Sequence, residues 1–334
     1  MRIPGGSVPS ATLVALASIA AVYGDGRLSL TSRGNLQLRG LTDAVPASEI
    51  AALGLVPSPT HERIRNITAS PLSGRVGGLA DVRSVVRRLD EALCAEPRLA
   101  ALPGRFLFGV DDGRGDVVQL DTDLAAIAVD EAHAEVVIGS GVSGPVVPLA
   151  FVPEVLAALA IRFLEVAAGA WHVRDLPRAG AELVEGEPTR VELPAPRRMP
   201  CGVVVQEDGA AAVSVLAPLG TLDGAQVDAL AADADELVLT PWRGVVVPDL
   251  DPAGAPEVVQ AVTGAGLVAD PASPWHRVTA CVGAPGCAKA CGETGPVARE
   301  IVAAGVDRPV HVVGCERRCG APAEPHDLVL VGAR

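Results

Sequence analysis

The chain has 334 residues, a net charge of −13 and only eight aromatic residues. That length builds two well-cored domains without disulfide support, and neither the acidic balance nor the scarcity of stacking side chains suits a general nucleic-acid binder. The charge is uneven, however: residues 1–110 hold 12 arginines against 8 acidic residues, and the remainder 15 basic against 32 acidic, so the basic first third is a place to gather an anionic ligand.

In chain order, "PGGSVPSATLVALASIAAVYG" reads as a Pro-Gly turn and an alanine-rich helix, which only faintly imitates a signal peptide. "RLSLTSRGNLQLRGL" reads as two strands around a glycine turn. "GRVGGLADVRSVVRRLDEALCAEP" is an amphipathic helix with Val82, Val85, Val86, Leu89 and Leu93 on its apolar face. Strands follow in "RFLFGVDD" and "DLAAIAVDE", and a long helix in "PEVLAALAIRFLEVAAGAW". That helix is interrupted by Pro153, Glu154, Arg162 and Glu165, so no membrane partner is expected. "GSGVSG" (Gly139–Gly144) matches a dinucleotide fingerprint, but Pro145 follows and no helix opens there; it is expected to be a turn between strands. The Pro- and Glu-rich "AGAELVEGEPTRVELPAPRRMP" is the expected connector.

Beyond it the pattern returns. Pro4–Ala44 and Pro218–Ala253 share a Pro-x-Gly turn, a short helix, a strand ending in Thr, then "SRG" or "PWRG" and a second strand. The match continues into "RNITAS" and "HRVTAC", which end at Ser70, 37 residues after Arg33, and at Cys281, 38 residues after Arg243. The chain is therefore read as a diverged tandem duplication in which Ser70 stands where the second copy has Cys281. In the second copy "VAREIVAAG" is a helix and "PVHVVG" a strand delivering Cys315. The overall class is mixed α/β with largely antiparallel sheets.

Seven cysteines is an odd number, and five of them crowd into 281–319. This favours a metal site in a reducing compartment over a disulfide framework. Zinc prefers pairs two to four residues apart, whereas Cys281–x5–Cys287 and Cys315–x3–Cys319 suit an iron–sulfur cluster, which takes four thiolates at wider spacings. Cys291 is a fifth candidate, since Cys287–x3–Cys291 is as good a pair as Cys315–x3–Cys319. Cys94 and Cys201 read as inert thiols, and Lys289, the only lysine, as a surface residue. The histidines at 61, 133, 172, 276, 311 and 326 show no metal-binding spacing.

With "TSRGNLQLRG", "LTPWRGVVV", "GAPGCAKA" and the two cysteine pairs in place, the chain resembles the nitrite and sulfite reductase superfamily over nearly its whole length, and within it the precorrin-3B synthase branch. The resemblance implies an α/β (α+β) fold. A ferredoxin-like half-domain plus a nitrite/sulfite reductase-type α/β domain is duplicated in tandem about a pseudo-two-fold. The expected segments are 1–58 and 59–180 in the first copy, and 181–257 and 258–334 in the second. It implies a [4Fe–4S] cluster on Cys281, Cys287, Cys315 and Cys319, the last also bridging to sirohaem iron in the reductases. Arg33 and Arg65 match positions that contact macrocycle carboxylates or the active-site anion. Arg105 falls where the reductases place the first of two catalytic lysines, and Leu107 where they place the second. Arg33, Arg65 and Arg105 are thus the expected catalytic residues, joined by Arg39, Arg63 and Arg75 for binding, because guanidinium groups pair bidentately with carboxylates.

The implied activity is oxygen-dependent hydroxylation of the anionic tetrapyrrole precorrin-3A to the lactone precorrin-3B in aerobic cobalamin biosynthesis. It would take place in the cytoplasm, with a mononuclear non-haem iron and an external electron-donor protein. A sirohaem-dependent sulfite or nitrite reductase is the second reading. A non-enzymatic iron–sulfur relative is the third, kept open because the chain begins and stops closer to its motifs than the family pattern.

Overall fold

The computed structural model describes residues 1–332 except 43, 196–198 and 323. The first copy opens with a tight turn (Pro4–Gly6), β1 (Ser7–Pro9) and α1 (Ser10–Tyr23), followed by the hairpin β2 (Leu28–Leu30) and β3 (Leu36–Leu38) and the short α2 (Ala47–Ala52). Its α/β unit contains β4 (Ile67–Ala69), α3 (Arg83–Ala95), β5 (Phe108–Asp111), β6 (Leu124–Ala128), β7 (His133–Ile138), β8 (Val142–Pro148) and α4 (Val152–Val166). The second copy contains β9 (Gly202–Val205), β10 (Ala211–Leu216), β11 (Thr221–Leu222), α5 (Gly224–Ala231), β12 (Glu236–Leu239), β13 (Gly244–Leu250) and α6 (Ala255–Gly264). Its α/β unit is β14 (Val278–Ala280), α7 (Thr294–Ala304), β15 (Val310–Val313) and β16 (Asp327–Leu330).

The two half-domains exchange the strands that precede their helices α1 and α5. β1 runs antiparallel to β12, Ser7 opposite Val238, at the edge of the five-stranded sheet β1-β12-β13-β10-β9. Reciprocally, β11 pairs with β2, Thr221 opposite Ser29, in the sheet β11-β2-β3. The alanine-rich faces of α1 and α5 meet between them. One core results, with Leu13 and Leu16 of α1 and Leu28 and Leu36 of the hairpin packed against Val213, Leu230, Leu237 and Val245 of the second copy. Gly6 makes the exchange possible: its φ is +78°, and a Cβ there would lie 2.0 Å from the Leu239 carbonyl oxygen.

The α/β units repeat one another. β4, β5 and β6 are parallel neighbours, as are β14, β15 and β16. The expectation of largely antiparallel sheets holds for the half-domains and for β6-β7-β8 of the first α/β unit; the parallel exceptions arise where a crossover helix (α3 or α7) or a long loop joins successive strands. α3 buries Val85, Val86, Leu89 and Leu93 as its 3.6-residue periodicity predicts. Phe106, Phe108 and Phe163 fill the centre of the first unit, with Phe106 about 5 Å from each of the other two rings. The second unit is slighter; its buried core among the described residues is Val278, Ala280, Ala298, Val310 and Val312.

"GSGVSG" forms the β7–β8 turn and opening of β8, as expected of a turn between strands. The connector does not leave the first unit at 181. Arg190 bridges to Val142, the Val191 N–H donates to the Gly141 carbonyl, and Pro194 packs on Gly115.

The structure also corrects the register of the repeat by one residue. In the first copy the Thr31 N–H bonds to the Asn35 carbonyl and the Gly34 N–H to the Thr31 carbonyl; in the second, Thr240 bonds to Gly244 and Arg243 to Thr240 in the same way. Arg243 therefore stands opposite Gly34, and Trp242 opposite Arg33.

Candidate functional site

Parallel pairing of β14 with β15 places the ends of both strands side by side, and the cysteine loops leave from those ends. Cys281 follows β14 directly. Its N–H donates to the Val312 carbonyl (2.9 Å), and its Sγ accepts the Gly314 N–H at 3.2 Å. Cys315 follows Gly314 at the end of β15. The loop carrying Cys287 is closed by bonds from Ala284 N–H to the Gly292 carbonyl (2.9 Å) and from Cys291 N–H to the Gly314 carbonyl (2.7 Å). The Cys319 carbonyl accepts from His311 Nε2 at 3.2 Å, and since a carbonyl only accepts, His311 Nδ1 is left to accept the Thr279 hydroxyl at 2.8 Å. A side chain on Gly314 would force the chain to shift, because a Cβ there would meet Ala290 Cβ at 2.7 Å.

This donor set fits a thiolate-ligated cluster. Two loops leave adjacent strand ends, and an N–H already points at a sulfur, the kind of bond that stabilises and tunes a coordinated thiolate. Cys94 and Cys201 lie elsewhere, and burial pushes both thiols up in pKa, the opposite of thiolate activation. Lys289 is exposed.

The first copy shows what the same framework does without cysteine. Asp112 N–H donates to Ser70 Oγ at 3.1 Å, the counterpart of Gly314 N–H on Cys281 Sγ. Ser70 Oγ donates to Asp116 at 2.6 Å, and Arg114 pairs with Asp112 through both Nε and Nη2. Asp111 accepts four backbone N–H groups, from Gly113, Gly115, Val117 and Val118. The three carboxylates gather within 4.8 Å of one another, and burial together with Asp111 pushes Asp116 up to about 7. Sequence alignment of the copies exposes Ser70 but not this ionic lattice, which lies in a loop of different composition.

A mononuclear iron needs its ligand atoms in one coordination sphere, and among the described residues Asp111, Asp112 and Asp116 are the only such group. Their oxygens are already held by Arg114, Ser70 and backbone N–H groups. His61, His172 and His311 are engaged within the protein by Ser58 and Glu96, by Asp123, and by Thr279 and Cys319 respectively. The ligand chemistry of a mononuclear non-haem iron does not fit these groups, and no step is assigned to one.

The arginines divide. Arg33 lies in the turn after β2, half-buried, and its side chain has no hydrogen bond or ion pair among the described residues. Burial and the neighbouring Arg105 and Arg174 lower its pKa, against the pull of Asp123 and Asp121. Arg105 is exposed, with its guanidinium 5.7 Å from the Trp171 ring centroid. Arg63 is exposed nearby, and Arg2, which the sequence did not single out, donates to the Arg63 and Gly104 carbonyls at 3.1 and 2.9 Å. Burial, Arg33 and Arg63 depress Arg2, against the pull of Glu62. Arg2, Arg33, Arg63 and Arg105 thus form a face whose like charges ask for an anion.

Two buried amides hold that face in shape. Asn35 accepts from Ile3 N–H (2.8 Å) and donates to Asn66 (3.1 Å), which donates to the Gly104 and Phe106 carbonyls (3.0 and 3.2 Å). The asparagines inside "TSRGN" and "RN" were the available signal. Leu107, at the second lysine position, is buried and its N–H bonds to Asp123.

Arg65, Arg75 and Arg39 do not join the face. Arg65, only 4% exposed, grips Asp90 through Nε and Nη2 at 2.6 and 2.7 Å and the Leu55 carbonyl at 2.9 Å. Arg75 pairs with Asp249 and Glu236, tying the first copy to the second copy's sheet. Arg39 bonds to Gln37 on the outer end of β3. Where the sequence suggests anion contacts, internal carboxylates occupy Arg65 and Arg75, because guanidinium in a largely buried position needs a fixed counter-charge.

Comparison with known proteins follows the same lines. The Nitrite/Sulfite reductase ferredoxin-like half domain matches residues 1–48 and 204–265, one part from each copy. The chain is 28% identical to a precorrin-3B synthase of Sinorhizobium sp., over 96% of this chain and 74% of that one. It is 27% identical to the ferredoxin–nitrite reductase of Synechococcus elongatus, over 100% and 76%. The solved structure of the Mycobacterium tuberculosis NirA protein superposes with a TM-score of 0.73 at 22% identity, covering 94% of this chain and 67% of that chain, and so shares the fold. No helix among the described residues is long and apolar enough to cross a membrane.

Proposed function

We propose that this chain, which carries the ferredoxin-like half domain of the nitrite and sulfite reductases and resembles them over its length, is an iron–sulfur oxidoreductase of the precorrin-3B synthase kind, acting on an anionic tetrapyrrole. The observation that carries the choice within the superfamily is Leu107. Multi-proton reduction of nitrite or sulfite calls for close cationic donors, and here the second lysine position of the resemblance holds a buried leucine whose N–H is committed to Asp123. The arginine face remains, and it suits carboxylates of a macrocycle better than proton delivery, since a guanidinium stays charged at any working pH.

In this reading Cys281, Cys287, Cys315 and Cys319 hold a [4Fe–4S] cluster, which when bound supplies single electrons. Arg33, Arg63 and Arg105 bind and orient substrate carboxylates. Trp171 restrains Arg105, and the Asn35–Asn66 pair fixes the Arg33 turn against the Gly104 loop. Monooxygenation puts one atom of dioxygen into the macrocycle and reduces the other to water, so electrons must come from outside; the name of the Synechococcus relative pairs it with ferredoxin, and a small donor protein of that class serves here.

Purification without air, with iron and sulfide analysis and optical and EPR spectroscopy, tests the reading. A [4Fe–4S] signal without sirohaem bands, lost in Cys281→Ser and Cys319→Ser but kept in Cys291→Ser, is expected, followed by dioxygen uptake on adding precorrin-3A. Tightly bound sirohaem would instead establish the reductase reading, and loss of the cluster in Cys291→Ser but not in Cys319→Ser would replace the fourth ligand.

A further inference from the structure

Arg243 is a cation without a counter-charge. It occupies the turn between β12 and β13 at φ +60°, where the first copy has Gly34 at +68°. Its side chain runs across Gly220, so that a Cβ on that glycine would lie 2.7 Å from Arg243 Cδ. Its Nη2 reaches to 3.0 Å from where a Cβ on Gly320 would stand, beside Cys319. No carboxylate or carbonyl among the described residues accepts from this guanidinium, although burial is the one influence on it. The ionisable group that feels its charge is His311, itself bonded to the Cys319 carbonyl. The neighbouring Glu316, Arg317 and Arg318 are exposed, and none of them pairs with it.

An unpaired half-buried guanidinium carries a desolvation cost, and a left-handed backbone at a non-glycine residue adds strain that is kept where the side chain has a use. Both costs are explained if an anion sits beside Cys319. We propose that Arg243 is a cluster-tuning residue: its guanidinium stands beside Cys319 to offset the negative charge of the thiolate-ligated cluster and to raise its reduction potential. This rests on the cluster assignment above and adds a residue from the half-domain to a site otherwise built from the α/β unit. The physical basis is that cluster potentials follow net charge, hydrogen bonds to sulfur and solvent exposure.

The test is an EPR-monitored redox titration of the reconstituted full-length protein with Arg243→Gly and Arg243→Lys. The glycine variant relaxes the backbone and removes the charge, so loss of folding does not confuse the result; far-ultraviolet circular dichroism and iron and sulfide content confirm it. A fall of about tenfold in the reduction equilibrium constant, about 59 mV for a one-electron couple, is expected in Arg243→Gly, with Arg243→Lys close to the parent. An unchanged potential in an iron- and sulfide-replete glycine variant overturns the proposal and leaves the cluster assignment standing. A parent protein that takes up no iron and sulfide overturns both.

Discussion

Replacing Asp116 by asparagine isolates one carboxyl in the lattice that occupies the first copy's counterpart of the cysteine site. Asp116 is buried, faces Asp111 and Asp112 as well as Arg114, and accepts the Ser70 hydroxyl. Its folded-state pKa of about 7 against an ordinary 3.8 means that the native protein holds a proton which the unfolded chain releases. Stability from this group is therefore fully present below the unfolded value and is lost as pH rises toward the folded one. At about 1.4 kcal/mol per unit the full difference is about 4 kcal/mol, of which about 2.5 kcal/mol falls between pH 5 and 8. Asparagine keeps an acceptor for Ser70 and has no charge to bury. In urea unfolding followed by circular dichroism, the stability of Asp116→Asn relative to the parent is expected to improve by about 2.5 kcal/mol from pH 5 to pH 8. A relative stability that is flat with pH, or that declines toward pH 8, would refute the assignment of a protonated buried carboxyl.

Two further substitutions probe the framework. Arg65→Ala strands the partly buried Asp90 carboxylate and is expected to cost about 3 kcal/mol, read as a lowered urea midpoint; if Arg65 instead serves only an external anion, the midpoint will hold. Gly6→Ala forces a Cβ against the Leu239 carbonyl at a left-handed φ and should cost about 2 kcal/mol or more by disturbing the β1–β12 exchange, whereas a midpoint equal to the parent's would show that this close approach is not required.

The sequence by itself determined the repeat, the helices and strands with strong local periodicity, and the crowding of five cysteines into two loops. These are written in short-range signals: the apolar spacing of α3, the Gly-Pro turns, and thiols placed at the ends of strands. Most residues of the arginine face, though not Arg2, were visible too, within an excess of arginine in the first third. Only the tertiary structure decided which arginines are free. Arg65 and Arg75 look like Arg33 and Arg105 in sequence, but Asp90 and Asp249, 25 and 174 residues away, neutralise them. The exchange of β1 and β11 was equally hidden, since strand pairing is chosen by partners more than 190 residues distant and not by any local pattern. Arg243 was legible as a letter in "PWRG" but aligned with the wrong neighbour. A one-residue offset in a turn is invisible to composition and decides which side chain runs across Gly220 toward Gly320, because φ at that position and that path exist only once the chain is folded.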